Sequence, residues 1–225
     1  MSVVVITGAS RGIGLATAKK FLAEGWRVIG AYQNTPIPID SENLASVHFD
    51  QGSPESIRIA AEEIQEIAPQ IDALVNSAGI ILDTHDVGIN MEKVRKTIEV
   101  DLLGVMDLTE RLLPRMPAGS HVINVDSSYG AFSFPIDDQT SGAYRIAKAA
   151  LNMYTRTLAF RLQDKGIIVS SLDPGWVKTD MGLAGATPTE GPDREPEEPA
   201  SEIYQIVKQV TESGYFWQSG KKREW

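Results

Sequence analysis

A glycine-rich run near the start of the chain separates a β-branched stretch from a helical pattern. Residues 2–6 read as a strand buried on both faces, and residues 15–24 have the composition of a helix. The run between them, residues 7–14, reads Thr-Gly-Ala-Ser-Arg-Gly-Ile-Gly. Strand, glycine turn and helix in this order predict a βαβ fold whose first turn binds a dinucleotide pyrophosphate.

Each glycine of this run has a separate predicted task. Gly8 permits a tight turn, Gly12 lets a pyrophosphate approach the backbone, and Gly14 lets the helix pack closely on the strand. The helix N-terminus then offers unpaired N–H groups to the phosphates. A glycine turn without a ligand is the alternative, and the strand–turn–helix context disfavours it.

Strand and helix patterns alternate along most of the chain. This alternation predicts an α/β fold with a doubly wound, mostly parallel sheet and helices on both faces. With 225 residues and no linker, the chain is expected to form one dinucleotide-binding domain, residues 1–225. The predicted strands are residues 2–6, 26–32, 47–49, 71–75, 121–125, 167–172 and an edge strand 215–217, and the later helices are 54–68, 91–113, 143–162 and 200–211.

Composition excludes several classes of function. A net charge of −9 argues against nucleic acid or an anionic membrane as a partner. The chain has no cysteine, and its three histidines are isolated, so no metal site is expected. No apolar run is long enough to cross a membrane, and the first strand begins without a basic leader. The expected location is therefore the cytoplasm.

The end of the second predicted strand bears on the choice of cofactor. An NAD-binding fold usually places an acidic residue there to bind the ribose 2′-hydroxyl, but this chain has no acid before Asp40. Arg11 could reach a 2′-phosphate, so NADP(H) is preferred to NAD(H), although a merely solvated Arg11 remains an alternative. Asp50, at the end of the third predicted strand, is expected to meet the adenine edge.

Tyr144 and Lys148 lie one turn apart on one face of a predicted helix. A nearby ammonium favours the phenolate, so the pair could poise Tyr144 for proton transfer near neutral pH. Such pairs are common on ordinary helices, and a packed tyrosine beside a solvated lysine is the alternative.

Taken in order, several motifs together resemble the classical short-chain dehydrogenase/reductase family. The runs at residues 144–152 and 220–225 look most like its carbonyl-reductase-like branch. The matching stretches cover nearly the whole chain: residues 7–14, Asn76-Ser-Ala-Gly79, Ser127, Tyr144 with Lys148, and Pro174-Gly175 leading to Thr179. The resemblance implies hydride transfer between a nicotinamide and a carbonyl or alcohol carbon.

The resemblance also implies residue roles. Tyr144 would exchange the hydroxyl proton, Ser127 would hold the substrate oxygen, and Lys148 would lower the Tyr144 pKa and bind the nicotinamide ribose. Cofactor contacts are expected at Gly8, Ser10, Arg11, Gly12, Ile13, Gly14, Asp50, Asn76, Ala78, Gly79, Tyr144, Lys148, Pro174, Gly175, Val177 and Thr179.

Two positions depart from the family pattern. Asp101 stands where the family usually has an asparagine whose carbonyl holds a water in the proton relay; aspartate keeps that carbonyl, but its ionised side chain cannot donate a hydrogen bond. Ser77 stands where a second asparagine is common. The first departure supports a competing hypothesis, a nucleotide-binding sensor or interaction protein with little turnover.

Substrate and assembly are less constrained. The segment between Ser127 and Tyr144, with Phe132, Phe134, Asp137 and Asp138, could line the substrate mouth or be a surface loop. Residues 181–199 could form a mobile lid or a solvated acidic loop. The expected partners are a small carbonyl or alcohol substrate and a second copy of the chain, in a homodimer or homotetramer built on the helices that carry Tyr144 and Met91.

Overall fold

A single eight-stranded sheet organises the chain in a computed structural model that describes residues 1–136 and 138–225. Its strands in chain order are β1 (Val3–Thr7), β2 (Arg27–Tyr32), β3 (Leu44–His48), β4 (Ala73–Asn76), β5 (His121–Val125), β6 (Ile168–Leu172), β7 (Tyr215–Gln218) and β8 (Lys221–Arg223). The spatial order is β3-β2-β1-β4-β5-β6-β7-β8. All neighbours pair in parallel except β7 and β8.

The winding direction reverses between β1 and β4, which lie side by side although β2 and β3 come between them in the chain. At such a switch point the connections leave in opposite directions and open a crevice at the carboxyl ends of the strands. The predicted doubly wound α/β fold is therefore confirmed.

Helices cover both faces of the sheet. They are α1 (Gly12–Ala23), α2 (Pro54–Ile67), α3 (Met91–Ile98), α4 (Val105–Leu112), α5 (Gly142–Arg161), α6 (Asp180–Ala184) and α7 (Glu197–Gln209). Alternate residues of β1 enter different cores: Val5 packs with α2, α4 and α5, whereas Val4 and Ile6 pack with α1 and α7. This is the period of two expected for a strand buried on both faces.

The helix predicted over residues 91–113 is interrupted. Between α3 and α4 the backbone forms a π-helical turn, Glu99–Gly104. The apolar spacing on either side of the turn still fits an α-helix, so periodicity does not reveal the extra residue. Gly104 allows this turn to lie against the backbone of Gln51, because any side chain there would overlap the Gln51 carbonyl.

Three further predictions need correction. β7 is not an edge strand, because β8 pairs with it in an antiparallel hairpin. Residues 181–199 are not wholly a loop: Thr179 caps α6 by accepting the Gly182 N–H, and α7 begins at Glu197 because Pro199 fits a first helical turn. β3 begins at Leu44 instead of residue 47.

Asp137, named above in the segment before Tyr144, lies outside the described residues. Within the described ranges, no helix combines the length and apolar character that a membrane crossing requires.

Candidate active site

A cleft of about 650 Å³ opens at the carboxyl ends of β1 and β4, where the crevice is expected. Most of the predicted cofactor residues line it: Gly8, Ser10, Arg11, Gly12, Ile13, Gly14, Asp50, Ala78, Gly79, Tyr144, Lys148, Pro174 and Thr179. The fold thus brings together motifs that are more than 160 residues apart in the chain.

The glycine turn has the geometry that a pyrophosphate cradle requires. Gly8 and Gly12 adopt φ angles of +69° and +54°, a backbone region that favours glycine. A Cβ on Gly14 would overlap the carbonyl of Gly8, so only glycine lets α1 begin this close to β1. The first N–H groups of α1 therefore face the cleft, and these residues fit a dinucleotide.

Arg11 lies at the cleft rim but points across it. Its Nη1 is 2.8 Å from Oδ2 of Asp180, the first residue of α6, and the two side chains are 80% and 72% exposed. Ser10 donates its hydroxyl to the carbonyl of Thr35. Gln33, Asn34 and Thr35 line the cleft after β2 and bring no carboxylate to it.

The end of β4 forms the floor of the cleft. The hydroxyl of Thr7 accepts the N–H groups of Ser77 and Ala78, both at 3.0 Å, and so fixes the turn after the strand. Asn76, predicted to line the cleft, is instead buried behind it, where its amide donates to Asn124 and Thr109. Asp50 lines the cleft and accepts the Gly52 N–H at 2.9 Å.

Tyr144 and Lys148 enter the cleft from the first turns of α5. The Lys148 ammonium donates to the carbonyl of Val125 at 3.0 Å and lies 5.5 Å from the centroid of the Tyr144 ring. The lysine is buried, so the alternative of a solvated lysine is excluded.

Ser127 follows β5 in a short turn that packs directly against α5. Gly130 makes this contact feasible, because a side chain there would overlap the backbone of Lys148. The Ser127 hydroxyl accepts the Tyr129 N–H at 3.2 Å and also interacts with the Tyr144 hydroxyl. The predicted serine and tyrosine are therefore neighbours.

Asp101 reaches the same place from the π-helical turn. Its Oδ1 accepts the N–H of Ile80 at 2.9 Å, and its Oδ2 lies 3.9 Å from the Lys148 ammonium. The carboxylate is buried, and among the described residues Oδ2 has no hydrogen-bond partner. The extra residue of the π turn directs this side chain towards the lysine.

The last predicted segment lies between β6 and α6. Pro174 and Thr179 line the cleft, whereas Gly175 and Val177 lie behind it. Gly175, with φ of +74°, donates its N–H to Asp173, and Val177 accepts the N–H of Thr179 at 2.8 Å. In the part of the chain that the structure describes, no three His, Cys, Asp or Glu side chains gather as a metal site would require.

The family model described as short chain dehydrogenase matches residues 2–187. The chain belongs to the short-chain dehydrogenase family. A 3-oxoacyl-[acyl-carrier-protein] reductase of Synechocystis is 31% identical over 192 residues, which cover 80% of this chain and 75% of the relative. Dehydrogenase/reductase SDR family member 7B of Danio rerio is 32% identical over 206 residues, and the chain spans only 64% of its length.

A solved structure of an NADPH-bound carbonyl reductase from chicken fatty liver superposes with a TM-score of 0.86 at 26% identity. The match covers all of this chain (100%) and 94% of the other. Family membership and this neighbour, together with the cradle described above, identify the chain as an NAD(P)-dependent oxidoreductase with a nicotinamide dinucleotide as cofactor.

The surroundings of Tyr144 in this dehydrogenase raise its pKa, whereas the sequence predicted a lowered pKa. Burial raises the pKa of Tyr144 to about 12; Lys148 lowers it, while the carboxylates of Asp101 and Asp126 raise it further. The predicted direction of the lysine's effect is correct, but the predicted acidic phenol is wrong here, because desolvation outweighs one ammonium group.

Asp126 is a site residue that the sequence analysis missed. It follows β5, lines the cleft and accepts the Ser127 N–H at 2.9 Å. Burial raises its pKa to about 7, against the lowering effect of Lys148. Its position, an acid at the carboxyl end of a strand directly before Ser127, was a usable signal.

Asp101 carries a related shift. Burial raises the pKa of its carboxyl to about 6, while the Lys148 ammonium and the Ile80 N–H lower it. Asp101 therefore holds a negative charge across the alkaline range in which Tyr144 titrates, and that charge adds to burial in raising the pKa of the phenol.

Replacing Asp101 by asparagine should shift the limb of the pH profile on which alcohol oxidation rises with pH to lower pH. If Tyr144 takes the alcohol proton, as the resemblance implies, oxidation needs its phenolate, and Asp101→Asn removes a negative charge that raises the Tyr144 pKa. The measurement is the pH profile of kcat for oxidation. Asp107→Asn, whose carboxylate pairs with Arg111 on α4, is the matched control and should leave the limb in place. An unchanged limb in Asp101→Asn contradicts the assignment.

Proposed function

We propose that this dehydrogenase reduces a carbonyl compound with NADPH, Tyr144 giving its proton to the substrate oxygen. The observation that carries this proposal is the placement of the Tyr144 and Lys148 side chains in the wall of the dinucleotide cleft, with the ammonium 5.5 Å from the phenol ring. The carbonyl reductase neighbour supports the same reaction.

The residues divide the chemistry among them. A bound reduced nicotinamide supplies the hydride to the carbonyl carbon. As the oxygen gains negative charge, the Tyr144 hydroxyl transfers its proton to it, and Ser127 donates a second hydrogen bond to the same oxygen. Lys148 remains charged and stabilises the phenolate that is left.

The raised Tyr144 pKa favours the reductive direction. At neutral pH a phenol with a pKa of about 12 is almost entirely protonated, which is the form that carbonyl reduction consumes. Alcohol oxidation would have to begin from the rare phenolate. We therefore expect fast carbonyl reduction near pH 7 and faster alcohol oxidation only in alkaline solution.

Tyr144→Phe should lower kcat for NADPH-dependent carbonyl reduction at least ~100-fold, because it removes the proton donor. NADPH consumption with a panel of aldehydes and ketones measures this effect. Tyr154→Phe is the matched control: Tyr154 lies on the same helix but bonds to Glu110, away from the cleft, so its loss should leave kcat nearly unchanged. Equal rates in Tyr144→Phe and wild type would refute the proposal.

A wild-type protein that binds NADPH but reduces no member of the panel would instead favour the sensor hypothesis. The sequence feature that supports that hypothesis is Asp101 in place of the usual asparagine. The Ser127 hydroxyl beside the Tyr144 phenol weighs against it, because cofactor binding alone does not need two hydroxyl groups placed together for a substrate oxygen.

The preference for NADP(H) rests on the residues around the adenosine end of the cleft. No carboxylate follows β2 there, so a 2′-phosphate meets no repulsion from Gln33, Asn34 or Thr35. Arg11 is within the same cleft lining, and its ion pair with Asp180 is largely exposed and therefore weak. We propose that Arg11 leaves this pair to bind the 2′-phosphate.

Arg11→Met should weaken NADPH binding about tenfold or more and leave NADH binding nearly unchanged, because only NADPH carries the phosphate. Fluorescence titration with both cofactors measures the two Kd values. Asp180→Asn removes the present partner of Arg11 but keeps the guanidinium, so it should not weaken NADPH binding. Parallel losses for both cofactors in Arg11→Met would contradict this role.

A homo-oligomer is proposed from the outer face of α5. Ile146, Met153 and Phe160 recur every seven residues and are 46%, 53% and 83% exposed. Leu103, in the π-helical turn that packs against α5, adds a fourth exposed apolar side chain. A second copy related by a two-fold axis would present the same stripe and cover it.

Phe160→Asp and Met153→Asp should each convert the dimer into a monomer, because a carboxylate in an apolar interface loses its hydration. Light scattering measures the mass. Ile59→Asp is the control: Ile59 is 48% exposed on α2, away from α5, and its replacement should leave the mass unchanged. A monomeric wild type refutes the interface.

The lid over the substrate, the location of the protein and the excluded partners remain predictions. Met181, in α6, lines the cleft. Trp176 donates its indole N–H to the carbonyl of Gly182, and this bond ties α6 to the loop that follows β6. This placement supports α6 as part of a lid over the substrate. A cytoplasmic location, the absence of a metal, and the exclusion of nucleic acid and membranes are expectations from composition alone.

A further inference from the structure

The helix that carries Tyr144 has no capping side chain of its own. Ser141 precedes it with a φ angle of +58°, and its hydroxyl makes no capping hydrogen bond. The first N–H groups of a helix have no partner within the helix, and a buried end without partners is costly. The start of α5 therefore needs an acceptor from elsewhere.

Asp83 supplies that acceptor from a distant part of the chain. Its Oδ2 accepts the N–H of Ala143 at 2.6 Å, and its main-chain carbonyl accepts the N–H of Ser141 at 3.0 Å. Asp83 lies in the segment between β4 and α3 and is only 3% exposed. Asp83 thus holds Ser141 and Ala143, the residues on either side of Gly142, and Ala143 directly precedes Tyr144.

The fit around this contact is close. A side chain on Gly142 would come within 2.6 Å of Ile89 Cδ1, so the segment that carries Asp83 packs directly against the helix start. A carboxylate at this position also interacts favourably with the positive end of the helix dipole. The cap therefore joins the segment between β4 and α3 to the start of α5.

The same segment also contacts α6. His85, two residues after Asp83, bonds through Nε2 to the carbonyl of Ala184 at 3.0 Å, at the last residue of that helix. Thr84 lies between them and faces Gly185. Residues 83–85 thus contact both the first turn of α5 and the end of α6.

We propose that Asp83 is a positioning residue for Tyr144, a cap lent by one loop that fixes where the first turn of α5 places the phenol. This inference rests on the proposed role of Tyr144 as proton donor. Proton transfer depends on sub-ångström placement of the donor, and a displacement of about 1 Å can cost on the order of 100-fold in rate. Loss of the cap would loosen the turn that contains Tyr144.

The test compares Asp83→Ala, Asp83→Asn and a matched cap variant, Asn90→Ala. Asn90 caps α3 by accepting the N–H groups of Glu92 and Lys93, so its loss removes a helix cap from the same segment and leaves the hydrogen bonds from Asp83 to the start of α5 in place. Asp83→Ala should lower kcat about tenfold or more with an unchanged Kd for NADPH. Asp83→Asn, which keeps an oxygen acceptor, should recover most of the rate.

Two measurements separate positioning from simple stability. Hydrogen exchange of the amides of residues 143–146 should accelerate in Asp83→Ala but not in Asn90→Ala. In a Tyr144→Phe background, adding Asp83→Ala should lower kcat no further, because both changes act through one phenol. Additive losses, or equal kcat losses in Asp83→Ala and Asn90→Ala at equal stability, overturn the proposal.

The exchange measurement does not depend on turnover. If the wild type reduces no substrate, the proposed function fails, and faster exchange in Asp83→Ala still shows that Asp83 holds the first turn. If the wild type is active and exchange is unchanged in Asp83→Ala, the proposed function stands and the positioning role of Asp83 is refuted.

Discussion

The site depends on one buried ammonium group, that of Lys148. Burial alone would lower its pKa, but Tyr144, Asp101 and Asp126 together outweigh burial and hold the pKa above its ordinary value. A charge removed from water is tolerated only where opposite charges and hydrogen-bond acceptors replace the lost hydration. The carbonyl of Val125 provides the direct hydrogen bond. The rest of the fold can be described as the means of bringing these groups together around one nitrogen.

Three local irregularities of the backbone place the side chains around Lys148 and Tyr144. The π-helical turn Glu99–Gly104 directs Asp101 inward, Gly130 lets the turn that carries Ser127 lie against α5, and Asp83 caps the first turn of α5. Regular helices and strands provide rigidity, but none of these three contacts belongs to a regular pattern. Irregular backbone at a functional site is commonly retained because it aims a specific side chain.

The difference between regular elements and local irregularities explains what the sequence could and could not predict. The glycine turn and the Tyr144–Lys148 spacing are local features with fixed geometry, so the fold, the cleft and the central pair were predictable. The π turn was not, because one inserted residue leaves the apolar spacing on each side intact. The Asp83 cap joins residues 60 positions apart. The pKa of Tyr144 depends on burial, which no linear spacing reveals, and this is why the expected acidic phenol was wrong.

The two carboxylates beside Lys148 act on both catalytic groups in the same sense. Negative charge at Asp101 and Asp126 raises the pKa of Lys148 and of Tyr144, so each group keeps its proton more firmly. For carbonyl reduction these effects agree, because the reaction begins with a protonated phenol and a charged ammonium. For alcohol oxidation they conflict, because the phenol must lose its proton first. An asparagine in place of Asp101 would relieve that conflict, so the aspartate supports the proposal that this site reduces carbonyl compounds.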